Sequence, residues 1–308
     1  MGTYKTRTST RTLIEQNSGH GWTIVSSPKV GSTDSLNAVT CVGAQDCWAV
    51  GAHGTDTGGT APLIERNAGK GWTVVRSPSA PGGSSQKALS SVACVNANEC
   101  WAVGTAGIEE YTGGSWRNVS SATPYAVSCA GPSDCWAVSN AGIEQYGLGG
   151  WSMVTIPNVG HLGLLLAVTC SSLHACWALG STGGGGASRG LILAYTGSDW
   201  TIAGTADESI GFSILGAITC TGTGDCWAVG QHAQTPIGQT VVPKTLIEHY
   251  GGAGWMVVDS PNRGSQDNIL YGVACAGAQD CWAVGAYATS IGNHALIEHY
   301  TGITWSVE

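Results

Sequence analysis

The chain has little charge, a single phenylalanine and no cysteine outside one repeated motif. Charged residues make up 10% of the 308 positions, and 12 Lys and Arg stand against 20 acids, a formal net charge of -8. That balance leaves no basic face for nucleic acid, which is therefore not an expected partner. The densest basic stretch, Lys5 with Arg7 and Arg11, reads as a solvated tail. Long apolar runs are also missing. The longest, Leu162 to Val168, is interrupted by Gly163 and falls far short of the roughly 20 residues of a spanning helix, so no membrane insertion is expected. Met1 to Lys5 lead into Thr and Ser rather than an apolar core, a start without a signal peptide that a mature secreted chain would share. No Gly-x-Ser-x-Gly, His-Glu-x-x-His, P-loop or EF-hand pattern occurs. No cofactor and no metal are expected.

What is present is a repeat. All 12 cysteines fall in copies of Cys-x5-Cys-Trp-Ala: Cys41/Cys47, Cys94/Cys100, Cys129/Cys135, Cys170/Cys176, Cys220/Cys226 and Cys275/Cys281. Such a period governs the fold, because stacked units bury one continuous core. The constant spacing reads as six local disulfides, since a hairpin with a five-residue loop brings both sulfurs within bonding reach. Reduced, buried thiols are the competing reading. Zinc pairs run Cys-x2-4-Cys with recurring partner ligands, which this spacing does not match. Oxidised cysteines imply an extracellular or cell-surface location, or the cytosol of a thermophile.

The full unit is longer than the cysteine motif. An alternating stretch leads to the first Cys (Leu36 to Cys41, Leu89 to Cys94, Leu270 to Cys275), and Trp-Ala-Val or Trp-Ala-Leu follows the second. After a variable segment come Leu-Ile-Glu-x-Tyr (Leu246 to Tyr250, Leu296 to Tyr300), a Gly-bearing turn, and a Trp with an alternating tail (Trp72 to Val75, Trp255 to Val258). These are four strands per unit, A to D, separated by turn residues. First cysteines lie 35 to 55 residues apart, around the length of a propeller blade. The expected fold is all-β: a β-propeller of six four-stranded blades over residues 35–308, within a single domain 12–308 behind a flexible tail 1–11. The alternative is seven blades with one incomplete. It arises because Leu13-Ile14-Glu15 to Trp22-Thr23-Ile24-Val25, within 12–26, is a surplus C–D hairpin with no A–B hairpin of its own. A lone hairpin is marginal in water. It augments an existing blade, starts an incomplete seventh, or docks on a second molecule to build an oligomer or filament. The 13 Trp divide between the position after the second Cys and the start of strand D, and read as core.

The Gly302-Ile303-Thr304-Trp305 turn is similar to the second half of the Asp-box of sialidase-type propellers, with Asn17, Asn67 or a Tyr at the Asp position and Leu148 for the Gly in one copy. Cys-Trp-Ala-Val-Gly (Cys47 to Gly51, Cys281 to Gly285) resembles the Gly-Trp-Ala-Val-Gly of photosystem II stability-factor propellers. The tandem pattern as a whole resembles the Cys-x5-Cys repeat propellers of bacterial surface proteins. The resemblance covers nearly the whole chain. It implies the fold and no established activity, because Asp-boxes are turn devices.

In a propeller the A–B and C–D turns share one end of the blades, and the B–C and D–A connections share the other. All length variation sits at the second end, where a rigid scaffold presents binding loops. Long B–C segments are Gly51 to Pro62, Ser181 to Arg189, Gln231 to Thr245 and Ala286 to Ala295, whereas Gly104 to Ala106 and Ser139 to Ala141 are minimal. Candidate ligand contacts are His53, Asp56, His232, Gln234, Tyr287, Asn293 and His294 on B–C segments, with Asp207, Glu208, Arg263 and Asp267 on D–A segments. The repeated acids read as structural. The strand-C Glu (Glu15, Glu65, Glu109, Glu144, Glu248, Glu298) is assigned to a Trp N–H or backbone donors, and the acid before the second Cys (Asp46, Glu99, Asp134, Asp225, Asp280) to an Asx-type turn. The fourth copy breaks both rules, with Leu193 and Ala175. Glycoside hydrolysis needs two carboxylates about 5–10 Å apart. Nothing pairs Asp56, Asp207, Glu208 or Asp267, and the arginines are scattered, so no enzyme is expected. The expectation is a non-catalytic extracellular module for surface binding or self-assembly. A glycan-binding, lectin-like module is the alternative and a glycoside hydrolase the second alternative. Expected partners are the chain itself, another surface protein or a glycan.

Overall fold

In the computed structural model, which describes residues 1–19, 21–78, 86–183, 188–204, 211–234 and 242–308 (the side chain of Gln234 excepted), every regular element is a strand. Among the described residues no helix is long and apolar enough to cross a membrane. The fold is a β-propeller of seven sheets. Three strands make the first: β1 (Gly2–Lys5), β2 (Thr10–Asn17) and β3 (Trp22–Val25). Six four-stranded sheets follow in simple antiparallel order. They are β4 (Asp34–Gly43), β5 (Asp46–Gly54), β6 (Thr60–Asn67), β7 (Trp72–Val75); β8 (Leu89–Asn96), β9 (Glu99–Gly104), β10 (Gly107–Tyr111), β11 (Trp116–Ser120); and β12 (Ala126–Gly131), β13 (Asp134–Ser139), β14 (Gly142–Gly147), β15 (Gly150–Met153). The remaining three are β16 (Leu162–Ser172), β17 (Ala175–Thr182), β18 (Arg189–Tyr195), β19 (Trp200–Ile202); β20 (Gly211–Gly222), β21 (Asp225–Gln234), β22 (Lys244–Tyr250), β23 (Trp255–Val258); and β24 (Asn268–Gly277), β25 (Asp280–Thr289), β26 (Gly292–Tyr300), β27 (Trp305–Val307). Two compact units divide the chain, one of 1–137 with 145–152, the other of 138–144 with 153–308.

Six blades was therefore one too few, and the alternative of seven with one incomplete is correct. The tail 1–11 is not free chain either. Gly2–Lys5 pairs antiparallel with β2, from Gly2↔Leu13 to Lys5↔Thr10, so the surplus hairpin is part of a sheet. This strand carries no Cys-Trp-Ala, the one signal that marks strand B in the sequence of the other sheets.

All six disulfides form within their own hairpins, each with Cα atoms 4.0 Å apart: Cys41–Cys47, Cys94–Cys100, Cys129–Cys135, Cys170–Cys176, Cys220–Cys226 and Cys275–Cys281. The turn is tighter than a five-residue loop. Strands run on past the cysteines to pairs such as Gly43↔Asp46 and Gly277↔Asp280, after a register shift that begins at the first Cys. A bulge there lets the extra residues be absorbed within the ladder.

The pairing follows the spacing, but the environment of the sulfurs differs from that of a loop staple. Cys100, Cys135, Cys176, Cys226 and Cys281, the second cysteines of five pairs, are buried core residues, none more than 1% exposed. They are therefore not part of any accessible site. The physical reason is their place on strand B, where the side chain is covered by aromatic rings. Cys100 clusters with Trp48, Tyr111 and Trp116, and Cys135 with Trp101. Cys226 clusters with Trp177 and Trp255, and Cys281 with Trp227 and Trp305. In each case one Trp comes from strand B of the preceding sheet. Cys47 is only half-buried, because the first sheet has no Cys-Trp-Ala motif to supply that ring. These sulfurs fill the core as small apolar groups as well as closing a hairpin.

Indoles pin neighbouring sheets together inside each unit. In the first unit Trp48 of β5 meets Tyr111 at 4.7 Å and Trp116 edge-on at 5.3 Å, both on the next sheet. Trp101 repeats this on Tyr146 and Trp151. The second unit has the same triads, Trp177 on Tyr250 and Trp255, and Trp227 on Tyr300 and Trp305. Edge-to-face packing satisfies the ring quadrupoles while burying large apolar area. β6 ends in Asn67, as β2 ends in Asn17, where the strands C of the later sheets carry Tyr. No Trp on β1 is there to receive a ring, and the Asn67 Oδ1 accepts the N–H groups of Gly69 and Gly71 instead.

Of the repeated Glu, Glu65, Glu109, Glu248 and Glu298 are buried, Glu144 is half-buried and Glu15 is exposed, and the partner of Glu65, Glu109 and Glu298 is a serine hydroxyl rather than an indole N–H. Ser27, just beyond β3, donates to Glu65 on the following sheet at 3.0 Å. Ser77 does the same for Glu109 and Ser260 for Glu298. Thr12 and Thr245 extend the chain of hydroxyls to Ser27 and Ser260. Burial pushes Glu65, Glu109 and Glu298 up to about 7, against the serine hydrogen bond, which pulls the other way.

Candidate functional site

The two ends of the sheets differ in what they can do. At the disulfide end, the A–B turn packs on the C–D turn of its own sheet in four of the sheets. Gly69, Gly113, Gly197 and Gly302 have φ between +81° and +99°, and a Cβ there would press on Gln45, Asn98, His174 or Gln279. Only glycine meets both demands.

The acid before the second Cys does not make an Asx-type turn. It reaches across to strand C. Asp46 forms a two-pronged pair with Arg66, both contacts at 2.9 Å. Gln145 donates to Asp134 at 3.4 Å, and the Nε2 atoms of His249 and His299 lie 2.7 and 2.8 Å from Asp225 and Asp280. Arg66, His249 and His299 also lie over the Trp of their own strand B. Arg66 is 4.7 Å from the Trp48 ring centre, His249 is stacked on Trp227 at 4.1 Å and His299 on Trp282 at 3.7 Å. The fourth copy is thereby explained: Ala175 has lost its acid and Ala194, opposite Trp177, has lost the acid's partner. Glu99 faces Glu110 in the same frame, and Glu110 turns instead to Arg117 at 2.6 Å. These residues brace the disulfide end and offer no open chemistry. The sequence gives no direct sign of the pairs, yet their joint variation from copy to copy is a visible signal.

At the opposite end of the sheets the B–C connections differ in length. The β9–β10 and β13–β14 connections are two residues long. The long B–C segments of the second and seventh sheets are largely strand rather than loop, with only 55–59 and 290–291 between strands. His53, Tyr287, Asn293 and His294 are accordingly strand residues, because the β5–β6 and β25–β26 ladders continue through them to Gly54↔Thr60 and Thr289↔Gly292.

Three candidates come together on the seventh sheet. Tyr287 and His294 are cross-strand partners with rings stacked at 5.2 Å, and Arg263 lies 6.0 Å over the Tyr287 ring. Arg263 and His294 are exposed and Tyr287 is half-buried. The loop that carries Arg263 is fixed from below by buried Asn268, whose amide binds the Arg263 N–H and the carbonyls of Arg263 and Gln266. Thr289 Oγ1 lies 3.1 Å from His294 Nε2. Asp267 and Asn293 are exposed beside this group. His53 and Asp56 are on the second sheet, His53 half-buried with Nδ1 3.3 Å from the Gly54 carbonyl, Asp56 exposed in the turn. His232 is half-buried on β21, paired with Ser213 and Lys244. Gln234 ends that strand, and its side chain lies outside the described residues, as do Asp207 and Glu208.

No family model matches the chain, and no curated protein matches it. Solved structures do. YCF48 bound to a D1 peptide is 16% identical with a TM-score of 0.55, over 89% of this chain and 82% of that one. Sqt1 of Chaetomium thermophilum bound to the N-terminus of ribosomal protein L10 is 8% identical with a TM-score of 0.51, over 88% and 86%. An ancestral GH74 enzyme is 15% identical with a TM-score of 0.55, over 90% of this chain but 42% of its own. At these identities the likeness is one of fold, and the fold this chain shares with all three is the β-propeller.

Proposed function

We propose that this chain is a non-catalytic binding module of an oxidising, extracytoplasmic setting, and that it holds its ligand at the end of the sheets opposite the disulfides. The observation that carries this is the contrast between the ends. One is stapled by a disulfide in six of the sheets, while at the other the B–C connections differ in length and the seventh sheet brings Arg263, Tyr287 and His294 together, Arg263 and His294 exposed. A half-buried aromatic ring grouped with an exposed guanidinium and imidazole offers apolar surface with polar edges, which suits a sugar. A surface glycan is the first ligand class. A polypeptide is the second, favoured because two of the similar propellers were solved with a peptide or protein terminus bound. Against catalysis, Glu65, Glu109 and Glu298 stand on separate sheets, each committed to its own serine, where a glycosidase places two carboxylates across one bond.

A glycan array probed with the wild-type protein and with Tyr287→Ala tests the reading. The wild type is expected to bind a defined set of glycans and the variant to lose roughly tenfold or more in affinity, with little change in melting temperature. Equal binding by the variant, or hydrolysis of a bound glycan, contradicts it.

A further inference from the structure

Arg263 is a guanidinium without an acid. Arg11 lies 3.5 Å from Asp34, Arg66 is paired with Asp46 and Arg117 with Glu110. Among the described residues no carboxylate pairs with Arg263, and its side-chain contact is the Tyr287 ring. Asp267, on the same loop, is exposed and its main-chain carbonyl accepts the Ala288 N–H, with no ion pair to Arg263. Two sheets compared show why. Asp34 and Asn268 hold the same place: each opens its strand A, is buried, and pairs with a strand-B residue, His53 in one sheet and Tyr287 in the other. Both tie down the loop ahead of them. The Asp34 carboxylate accepts the Val30 and Gly31 N–H groups, and the Asn268 Oδ1 accepts the Arg263 N–H at 2.8 Å. A buried carboxylate calls for a cation, which Arg11 supplies while also donating to the Gly31 carbonyl. Asn268 does the same bracing with a neutral amide, so it fixes the Arg263 backbone and leaves the side-chain charge unmatched.

The groups beside it are held as well. Tyr287 packs on the core cluster around Trp227, Leu270 and Leu296, which sets its ring from below. The Thr289 hydroxyl donates to the Gly292 carbonyl at 3.0 Å, so its oxygen is left to accept from His294 Nε2, 3.1 Å away. With Nε2 as the donor, Nδ1 of the neutral imidazole is an acceptor. A guanidinium that meets an aromatic ring through its face keeps its in-plane N–H fork free, and that fork matches the two oxygens of a carboxylate. The group therefore combines a donor fork for an anion, an acceptor for a hydroxyl and apolar ring surface.

We propose, resting on the glycan-binding reading above, that the ligand of this group is an acidic sugar, a uronic acid residue of a glycan. Its carboxylate pairs with the Arg263 fork, a hydroxyl donates to His294 Nδ1 and its carbons rest on Tyr287. A neutral sugar leaves the guanidinium without a counter-charge and binds more weakly. With 20 acids against 12 Lys and Arg, the chain as a whole repels anions, so selection of an acidic sugar is a property of the local group and not of net charge.

The probes are an oligogalacturonate and the same oligomer with its carboxyls methyl-esterified, titrated calorimetrically into the full chain. The wild type is expected to bind the acid form roughly tenfold or more tighter than the ester, with an affinity that falls as salt is added. Arg263→Gln is expected to bring the ratio of the two affinities close to one, and Arg263→Lys, which keeps the charge and loses the fork, to restore it in part. The bonds to Asn268 use the Arg263 main chain, so the melting temperature of both variants is expected to hold. Equal binding of acid and ester by the wild type, or an unchanged ratio in Arg263→Gln, overturns the proposal. So does an oligoglutamate of the same charge that binds as tightly, because the ligand is then an acidic peptide. If the array finds neutral glycans that need Tyr287 while acid and ester bind alike, the binding site stands and its acidic selectivity falls. If no glycan binds at all, both fall.

Discussion

Full reduction of the six disulfides is expected to remove on the order of 10 kcal/mol of stability and to leave the chain unfolded at physiological temperature. Each bridge closes a loop of sequence separation 6, worth about 2 kcal/mol in the chain-entropy model, and the bridges occupy separate hairpins, so their contributions are close to additive. The sum is comparable with the roughly 5–15 kcal/mol of an ordinary domain. Denaturant unfolding with and without a phosphine reductant measures the difference, and non-reducing peptide mapping verifies the pairing first. Burial of Cys100, Cys135, Cys176, Cys226 and Cys281 adds a kinetic expectation. Their bridges should resist the reductant until the chain is unfolded, while the Cys41–Cys47 bridge, with its half-buried second sulfur, should open first. A reduced protein that keeps its midpoint within a small fraction of the oxidised one would show that packing of the indole triads suffices without the staples.

Stability is also expected to fall as the solution is taken from mildly acidic to neutral pH. Glu65, Glu109 and Glu298 have folded-state values of about 7 against an ordinary 4.5, raised by burial. Between these values the native state holds protons that the unfolded chain has released, so the slope of unfolding free energy with pH is negative there. The contribution is fully present below about 4.5, is lost as pH rises through about 7, and is constant above. Each carboxyl contributes on the order of 3 kcal/mol across that window. Glu99 and Glu144, also raised by burial, act in the same sense. Denaturant midpoints at pH 4.5 and 8 measure the trend. The triple variant Glu65→Gln, Glu109→Gln, Glu298→Gln is expected to flatten it. A wild-type protein more stable at pH 8 than at 4.5 would contradict the burial of these groups.

The repeat makes most of this architecture legible before any coordinates. Cys-x5-Cys-Trp-Ala fixes strand B, strand A has to precede it, and the Trp at the start of strand D marks the outer strand. What the sequence does not declare follows from the same reliance on that motif. Gly2–Lys5 shares only its glycine with other strands B, so a tail is expected where a strand lies. The spacing of the cysteines reveals their pairing but not their burial, which depends on rings from the preceding sheet. The serine partners of Glu65, Glu109 and Glu298 are hidden because they belong to the preceding unit and approach only when sheets stack. The acid before the second Cys reads as part of its own turn because its partner lies on strand C, 11 to 24 residues away. At the binding end, composition alone makes Tyr287 and His294 loop residues. Their stacking on Arg263 emerges only once β25 and β26 pair through them.

Hydrogen–deuterium exchange resolved to single amides over residues 2–25 tests most directly the claim that the N-terminus is a seventh blade. The account predicts slow exchange for β2 amides bonded to β1 and β3, and intermediate protection in β1, as in the β5–β7 ladders of the neighbouring sheet. Exchange throughout residues 2–25 at the rate of unstructured chain would contradict it.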